Sequence, residues 1–252
     1  MQRSRNRYGR PVMNHLPLKA VSNPAPDAVF ELRRYTLKPG RRDTLIALFD
    51  TEFVETQEAV GMSVVGQFRD CSEPDRFVWF RGFADQAERS AALPLFYGGP
   101  VWAQHGPAAN ATMIDSDDVL MLKPAGTMPA FAALPPRPAG AFADAGSLIL
   151  QATHHLPPDL SEEGARRAAA AIAALAQAAG AIVLASLISD HSPNGFPRLP
   201  VRGEANVVVT VVRPLVGQFD AVAERLKGFG ADVPALSVEI AGLMPTARSR
   251  LR

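Results

Sequence analysis

Charged and aromatic side chains alternate with apolar ones along three short segments in the first half of the chain. The polar and aromatic members are Glu31, Arg33, Tyr35, Gln67, Arg69, Trp79 and Arg81. Side chains two positions apart on a strand point to the same face, so these residues are predicted to share one face of a sheet. Arg69 or Arg81 could bind a carboxylate, enolate or phosphate, while Tyr35 and Trp79 pack against the apolar part of the ligand. The pattern therefore predicts a pocket for a small apolar or aromatic metabolite with one anionic group.

The same residues also have a purely structural interpretation. A buried arginine needs a counter-charge, and Glu31 is the nearest carboxylate in the set. Glu31 and the arginines could form internal ion pairs that hold the fold together and bind nothing. The sequence leaves both interpretations open.

Further candidates surround a glycine-rich break within residues 97–105. Trp102 and His105 are three positions apart and would share one face of a helix, where His105 could act as a general base or bind haem iron. Tyr97 precedes two glycines, which permit close approach of the backbone to a ligand. An exposed or hydrogen-bonded histidine and a simple helix break explain the same residues without a function. We take His105 and Tyr35 as the candidate catalytic residues, and Tyr97 and Trp102 as ligand-binding ones.

The sequence shows no pattern typical of a metal or cofactor site. His154 and His155 are adjacent on a predicted strand and point to opposite faces, so they do not form a bidentate metal site. The single cysteine, Cys71, excludes an intramolecular disulfide and any multi-cysteine zinc or iron–sulfur site. The glycines form neither a dinucleotide fingerprint nor a phosphate-binding loop. We therefore predict no metal site and no cofactor, with haem as the alternative that would require His105 or His154 in a roomy apolar space.

The elements that must position these residues follow a pattern of strand, helix, strand, strand, helix, strand, which occurs twice, in residues 29–124 and 147–251. Each copy predicts a ferredoxin-like unit, and two such sheets can pack face to face. The predicted fold class is α+β, with two βαββαβ repeats forming an intramolecular α+β barrel. The apolar stripe of the first helix is expected to cover the Phe30 and Leu32 face of the first strand. The polar and aromatic face would then look into the space between the two sheets.

These patterns divide the chain into four parts. Residues 1–27 form a basic tail that is expected to be disordered, residues 28–124 and 147–252 form the two ferredoxin-like domains, and residues 125–146 form a Pro/Ala/Gly-rich linker. The strands of the second copy carry few polar side chains, so this half is predicted to supply a wall and the first half the chemistry. Its hairpin connection, residues 192–200, is longer and could cover the barrel mouth.

Composition narrows the range of partners and compartments. The 252 residues include 26 Lys plus Arg and 25 Asp plus Glu, so no excess charge favours a nucleic acid as partner. No run of about 18 apolar residues predicts a membrane span. The basic tail lacks the apolar core of a secretory signal, and its prolines oppose the amphipathic helix of a transit peptide, so we expect a cytoplasmic protein. Unpaired edge strands in each sheet would allow a homodimer.

Four segments together resemble the NIPSNAP family, whose domains belong to the dimeric α+β barrel superfamily. They are residues 30–40 (FELRRYTLKPG), 96–102 (FYGGPVW) running on to 110–114 (NATMI), 119–124 (VLMLKP) and 243–249 (LMPTARS). The resemblance is strong in the first copy and weak in the second.

The resemblance implies a fold and a lineage rather than one reaction. Relatives in the superfamily include haem-degrading monooxygenases, cofactor-free monooxygenases and small lactone isomerases. The resemblance thus favours a protein that binds a small apolar or aromatic metabolite and acts on it as a cofactor-independent monooxygenase or isomerase. Other NIPSNAP proteins have protein–protein roles, so the alternative is a non-catalytic interaction protein whose barrel is filled by its own side chains. Fold-level analogy does not decide whether the protein is an enzyme.

Overall fold

Two successive sets of four strands make up the described part of the protein. The computed structural model describes residues 27–127, 130–132, 134–138, 147–228 and 233–252. The strands of the first half are β1 (Val29–Leu37), β2 (Ser63–Asp70), β3 (Arg76–Phe83) and β4 (Met113–Pro124). Those of the second half are β5 (Ile149–His155), β6 (Ala181–Ser189), β7 (Val207–Pro214) and β8 (Ser237–Pro245).

The helices lie between these strands. In the first half, α1 (Arg42–Leu48) runs through a π-helical segment (Phe49–Phe53) into α2 (Val54–Glu58), and α3 (Gln86–Tyr97) is followed at once by α4 (Pro100–Asn110). The second half has α5 (Glu162–Ala178) and α6 (Phe219–Lys227). The side chain of Asp85 caps α3 by accepting a hydrogen bond from the backbone N–H of Glu88, and Ser161 caps α5 in the same way. Helices α3 and α5 therefore each begin directly after a residue whose side chain caps the helix.

The eight strands close into one antiparallel barrel in the order β1-β3-β2-β8-β5-β7-β6-β4, with β4 pairing back to β1. Each half has the ferredoxin-like order, β4-β1-β3-β2 and β8-β5-β7-β6, and the halves join at β2–β8 and β4–β6. The α+β class with two βαββαβ repeats in an intramolecular barrel is thus confirmed. Every described strand has two neighbours, so the unpaired edges from which we expected a homodimer do not occur among the described strands.

The barrel interior is mainly apolar, and side chains from all eight strands line it. Its larger members are Phe30, Leu32, Phe68, Phe80, Leu120, Leu122, Leu187, Val207, Val209, Val211 and Leu243. Phe131, from the segment predicted as a linker, also packs there, with its ring 5.5 Å from Phe30 and 5.4 Å from Phe80. The remaining predicted linker residues 139–146, and residues 1–26 of the predicted tail, lie outside the described residues.

The predicted orientation of the first sheet is wrong. Phe30 and Leu32 face the barrel interior, whereas Tyr35 and Trp79 lie on the opposite face, in the cluster that packs against α1 to α4. Alternation in a strand shows which residues share a face but not which face a helix covers. Closing a barrel requires an apolar interior from both halves, so the polar and aromatic face lies under the helices instead. No described helix is long and apolar enough to cross a lipid bilayer.

Candidate functional site

A cavity of about 260 Å³ lies outside the barrel, between the helix-facing side of the first sheet and the helices that cover it. We call it the main cavity. β1 contributes Arg33 and Tyr35, and the adjoining ends of α3 and α4 contribute Tyr97 and Trp102. The rest of the wall comes from the end of α4, the start of β4 and a loop of the second half. These further lining residues are Asn110, Met113, Ser116, Asp117, Phe196, Arg198, Leu199 and Pro200.

Behind the main cavity, three arginines surround one buried glutamate. Glu31 Oε2 lies 2.7 Å from Arg33 Nη1 and 2.7 Å from Arg81 Nη2, and Glu31 Oε1 lies 2.7 Å from Arg89 Nε. All four side chains are buried. Burial alone would raise the pKa of Glu31, but the guanidinium groups of Arg81, Arg33 and Arg89 outweigh it and hold that pKa well below its ordinary range. Three cations around one anion leave a net positive charge under the cavity floor.

Arg33 is the member of this cluster that reaches the main cavity. Its Nη1 donates to Glu31, and its Nε donates to the hydroxyl of Tyr35 at 2.9 Å. Its third nitrogen, Nη2, takes part in no hydrogen bond or ion pair with any other residue that the structure describes. A guanidinium stays charged at any physiological pH. The cavity wall therefore contains a fixed cation with an uncommitted donor.

Two phenol groups lie beside this cation. The hydroxyl of Tyr35 accepts from Arg33, and that of Tyr97 accepts from Arg81 Nη1 at 3.4 Å. Burial raises the pKa of Tyr35 above its ordinary value, although the guanidinium of Arg33 opposes the shift. Tyr35 is therefore a neutral phenol at physiological pH, and its O–H donates to no other atom of the described residues. Such a proton can be donated to an oxygen anion in the cavity.

Aromatic rings form a further part of the wall. Trp102 lies 4.7 Å from Tyr97 between ring centroids, and Phe196 stacks on Tyr97 at 6.0 Å with an interplanar angle of 22°. Trp79 lies deeper, with the guanidinium carbons of Arg81 and Arg33 at 5.2 Å and 5.7 Å from its ring centre. Cations over aromatic faces are attracted by the ring quadrupole. The aromatic set therefore both shapes the cavity and holds the arginines in place.

The glycines between α3 and α4 have a structural role. A Cβ atom at Gly98 would lie 2.8 Å from the carbonyl oxygen of Pro94, and one at Gly99 would lie 2.8 Å from that of Leu95. Their absence of a side chain lets the chain turn from α3 directly into α4. The glycines thus bring Tyr97 and Trp102 together, and they do not themselves line the main cavity.

The loop of the second half at residues 192–200 covers the main cavity. Asn194 Oδ1 accepts from buried Arg89 at 3.1 Å and from the backbone N–H of Phe196 at 3.1 Å, and Asn194 Nδ2 donates to the carbonyl of Leu199 at 2.8 Å. Phe196 and Leu199 are thereby held over the opening. We predicted that this segment could cover the barrel mouth. It covers a cavity outside the barrel, because the polar sheet face lies under the helices.

Some predicted site residues are not brought to the main cavity. Arg69 pairs with Asp43 at 2.8 Å near the surface, and Gln67 Nε2 donates to Asp50 at 3.3 Å. His105 Nε2 lies 3.6 Å from a carboxylate oxygen of Glu52. None of the three lines the cavity. Glu31 and Arg81 lie behind it as its electrostatic support, and Trp79 lines a smaller gap described below.

Four residues of the site were not predicted from the sequence: Arg89, Asn194, Phe196 and Arg198. Arg89 had a detectable signal, because it is four residues before Leu93 and therefore lies on the buried stripe of α3. The loop residues had none. Asn194, for example, lies 105 positions after its partner Arg89, and only the closed barrel brings the loop to the cavity.

No histidine in the described part of the chain lines the main cavity. His154 is buried on β5 and its Nε2 lies 2.9 Å from the carbonyl oxygen of Leu226, so neither it nor His105 is directed into the cavity as the haem alternative requires. Within the described ranges, no group of three or more His, Cys, Asp and Glu side chains is placed to hold a metal ion.

Comparison with known proteins places the arginine cluster, but not the whole cavity wall, within a recognised domain. Residues 30–129 match the model of the family described as NIPSNAP. The chain contains a NIPSNAP domain. This NIPSNAP domain includes β1 to β4 and α1 to α4, and so all of the arginine cluster. The loop that covers the cavity lies outside it. No protein with a curated description matches the sequence.

Solved structures share the architecture at low identity. A candidate monooxygenase from Lactobacillus acidophilus has 12% identity and a TM-score of 0.53 over 88% of this chain and 98% of its own. A second candidate monooxygenase, from Fusobacterium nucleatum, has 9% identity and a TM-score of 0.50 over 88% and 93%. A NIPSNAP family protein of unknown function from Agrobacterium tumefaciens has 21% identity and a TM-score of 0.38, covering 41% of this chain and 93% of its own. The first two likenesses extend over both halves and show the fold alone.

Proposed function

We propose that the main cavity binds a small aromatic or apolar metabolite through one anionic or enolic oxygen. The observation that carries the proposal is the buried guanidinium of Arg33, which has an uncommitted Nη2 and lies beside the free O–H of Tyr35 at the cavity wall. A desolvated cation needs a partner, and Glu31 is already shared with Arg81 and Arg89. An anionic ligand oxygen would supply the hydrogen-bond acceptor that Arg33 Nη2 lacks.

Size and lining define the class of ligand. A volume of about 260 Å³ is near the lower bound of ~300 Å³ for ligand pockets. One part of the wall is aromatic, with Trp102, Tyr97 and Phe196 presenting ring surfaces, and the other part is polar, with Asn110, Ser116, Asp117 and Arg198. A flat molecule of one or two rings that carries a phenol, enol or carboxylate suits these walls and the cation at their inner end.

The same geometry supports chemistry at the ligand. The net positive charge of the arginine cluster and the Tyr35 hydroxyl favour the ionised form of an enol or phenol over its neutral form. An enolate or phenolate is the species that reacts with dioxygen in a cofactor-independent oxygenation, and it is also the intermediate of an isomerisation by proton transfer. Arg33 and Tyr35 would touch the reacting oxygen and stabilise its charge. The proposal therefore retains Tyr35 as a catalytic residue and assigns none of the chemistry to His105.

A ligand screen tests the proposal. Thermal unfolding of the full chain is measured against a library of small aromatic acids, phenols and enols, since a ligand that binds only the folded state raises the midpoint by mass action. A hit is then tested on Arg33→Met, which keeps the length of the side chain and removes the charge. Arg69→Met is the matched control, because Arg69 lies on the same sheet but pairs with Asp43 at the surface.

We expect the shift to be lost in Arg33→Met and kept in Arg69→Met. Equal shifts in both variants would overturn the assignment of Arg33. For each confirmed ligand, consumption is compared in air and under nitrogen: loss of turnover without oxygen supports oxygenation, and turnover under both conditions supports isomerisation.

A non-catalytic interaction protein is the second candidate function. The observation that favours it is the barrel interior, in which side chains from all eight strands pack together. In that case no library member would shift the midpoint, and the outer helices would be the working surfaces. This candidate would be supported over the first if no ligand shifted the midpoint and if Arg33→Met bound a partner protein as the unmodified chain does.

A further inference from the structure

A small gap lies next to the main cavity and deeper under the helices. Its volume is about 20 Å³, and the two spaces share Tyr35, Tyr97, Trp102 and Met113 in their walls. The shared residues form the boundary between them. A molecule in the gap would therefore be adjacent to a ligand in the main cavity.

The lining of the gap is apolar with one exception. Leu45, Phe49 and Phe53 form most of one side, and the rings of Phe96 and Trp79 form much of the rest. The π-helical segment carries both Phe49 and Phe53, and it interrupts an otherwise α-helical stretch at this place. Such interruptions occur often at functional sites. The gap is therefore a small space left among large rings that contact one another, with Phe49 4.8 Å from Trp79 and Phe53 5.3 Å from Trp102 between ring centroids.

Of the buried polar side-chain atoms in the described lining of the gap, one takes part in no hydrogen bond. Gln57 Nε2 donates to the carbonyl of Phe53 at 3.0 Å, and Gln57 Oε1 accepts from Arg81 at 3.2 Å. Trp79 is 2% exposed, and its indole N–H has no hydrogen-bond partner among the described residues. A buried donor left unsatisfied is costly and rare in folded proteins.

A water molecule fits this environment poorly. A space of about 20 Å³ admits one water-sized molecule, but a buried water needs 2 to 4 polar partners. Each side-chain oxygen among the described lining residues already accepts a hydrogen bond, Tyr35 from Arg33 and both Tyr97 and Gln57 from Arg81, whereas a water would have to donate protons as well as accept them. A small apolar molecule that only accepts a weak hydrogen bond fits the size, the apolar walls and the Trp79 N–H together.

We infer that this gap is a binding site for dioxygen, with the Trp79 indole N–H as its hydrogen-bond donor. The inference rests on the proposed function in its oxygenation form, to which it adds the place of the second reactant. The ligand anion supplies both electrons of the new C–O bond, L⁻ + O₂ → L–O–O⁻, and the peroxide anion takes up the proton released when the ligand ionised. No external reductant is needed. As negative charge builds on the oxygen, the Trp79 N–H and the guanidinium groups of Arg33 and Arg81 stabilise it.

Intrinsic fluorescence provides a direct test, because the chain has two tryptophans and both line the gap. In the full chain with Trp102→Phe, Trp79 is the sole emitter. Its lifetime is measured against dissolved oxygen and against acrylamide, which is too large for the gap. We expect the bimolecular quenching constant of oxygen to exceed that of acrylamide at least tenfold. Comparable constants for the two quenchers would overturn the inference.

A variant that fills the gap distinguishes quenching by oxygen bound in the gap from quenching by oxygen that diffuses through the rest of the protein. Leu45→Phe in the same background adds a ring at the gap, and Leu48→Phe on the same helix adds it outside the lining. We expect quenching by oxygen to fall at least threefold in Leu45→Phe and to stay within 1.5-fold in Leu48→Phe. Equal quenching in both variants would count against a site at this place.

Crystals of the unmodified chain under xenon give a measurement that does not depend on any variant folding. One xenon atom in contact with Phe49, Phe53 and Trp79 supports the site. An ordered water bonded to Trp79 Nε1 in the unpressurised crystal, unmoved by xenon, would overturn it. Failure here and failure of the proposed function are distinguishable, because Arg33→Met should abolish ligand-induced stabilisation and leave xenon binding at the gap unchanged.

Discussion

The two halves of the barrel have the same strand order but opposite chemistry under their helices. In the first half, the helix-facing surface carries Arg33, Tyr35 and Trp79 over a buried ion cluster, and large aromatic side chains from the helices leave a cavity above it. In the second half, the corresponding surface is apolar, and the alanine-rich helix α5 packs on it. The small residues of α5 at that contact are Ala165, Ala168, Ala169 and Ala176.

The second half does have a hollow of about 160 Å³ beside α5, but its buried polar groups are satisfied. Ser189 Oγ donates to the carbonyl of Ala205 and accepts from the backbone N–H of Val207, and Asn206 Nδ2 donates to the carbonyls of Pro157 and Leu160. None of the described residues that line this hollow is a cation with a free donor. The difference shows that space alone does not make a site. The first half combines space with a charge that the protein does not fully neutralise.

The largest expected effect follows from removing the counter-charge of the first half. Glu31→Gln leaves three buried guanidinium groups without an anion and should lower the free energy of unfolding by about 3–5 kcal/mol. The matched control is Glu162→Gln in the second half, whose exposed pairs with Lys123 and Arg166 should contribute less than about 1 kcal/mol. Urea unfolding at neutral pH measures both. Equal losses would show that the cluster is not the electrostatic centre of the first half.

The contribution of Glu31 to the free energy of unfolding should depend on pH. Because the folded pKa of Glu31 is lowered, its contribution is complete above the unfolded value of about 4.3 and decreases as the pH falls toward the folded value. The difference in unfolding free energy between the unmodified protein and Glu31→Gln should therefore be constant from pH 8 to about pH 5.5 and shrink below it. A difference that grows as the pH is lowered would contradict the assigned direction.

Packing of the two helix layers should respond differently to added volume. Ala168→Leu forces extra atoms into the close contact of α5 with its sheet and should destabilise the protein by about 1–3 kcal/mol. Leu45→Phe places its ring at the existing gap in the first half and should cost less than about 1 kcal/mol. Chemical unfolding of the two variants compares them directly. A larger loss for Leu45→Phe would mean that the first half is as closely packed as the second.

A smaller effect is expected from the loop that the second half contributes. Phe196→Ala removes the ring stacked on Tyr97, an interaction of about 0.5–1.5 kcal/mol beyond area burial, and should weaken ligand binding by about 3- to 10-fold. Titration of a confirmed ligand measures this loss. Unchanged affinity would restrict the binding site to the first half.

The smallest effect is expected at His105. It contacts Glu52 at 3.6 Å and does not line the main cavity. His105→Ala should therefore leave the affinity and any turnover of a confirmed ligand within about 2-fold, consistent with a partly exposed pair. A loss of turnover with unchanged affinity would restore His105 as a catalytic residue.

Periodicity in the sequence was sufficient to predict the repeated strands and helices and the closed α+β barrel, because strands and amphipathic helices are encoded locally. It also showed which residues share the face of Arg33 and Trp79. It could not show that Phe30 and Leu32 face the barrel, since that choice depends on an interior assembled from both halves. The position of Arg69 depended on its distance along the strand from the cavity, and alternation carries no information about that distance.

The loop over the cavity was predictable as a long connection but not as part of the site. Asn194 reaches buried Arg89 only because β6 and β4 pair across the junction of the halves. Arg89 itself was detectable, since a charged residue on the buried stripe of a helix requires a partner. Contacts between distant segments thus account for most of what the sequence left undetermined.

The NIPSNAP match ends before the loop at residues 192–200 begins, and this has a practical result for work on the protein. A fragment cut to residues 30–129 would expose Phe30, Leu32 and Phe80 to solvent and would lose the roof formed by Phe196. Such a fragment would be prone to aggregate in solution, and any ligand of the main cavity would lose its contact with Phe196. Tests of the proposed ligand site therefore require the uncut protein.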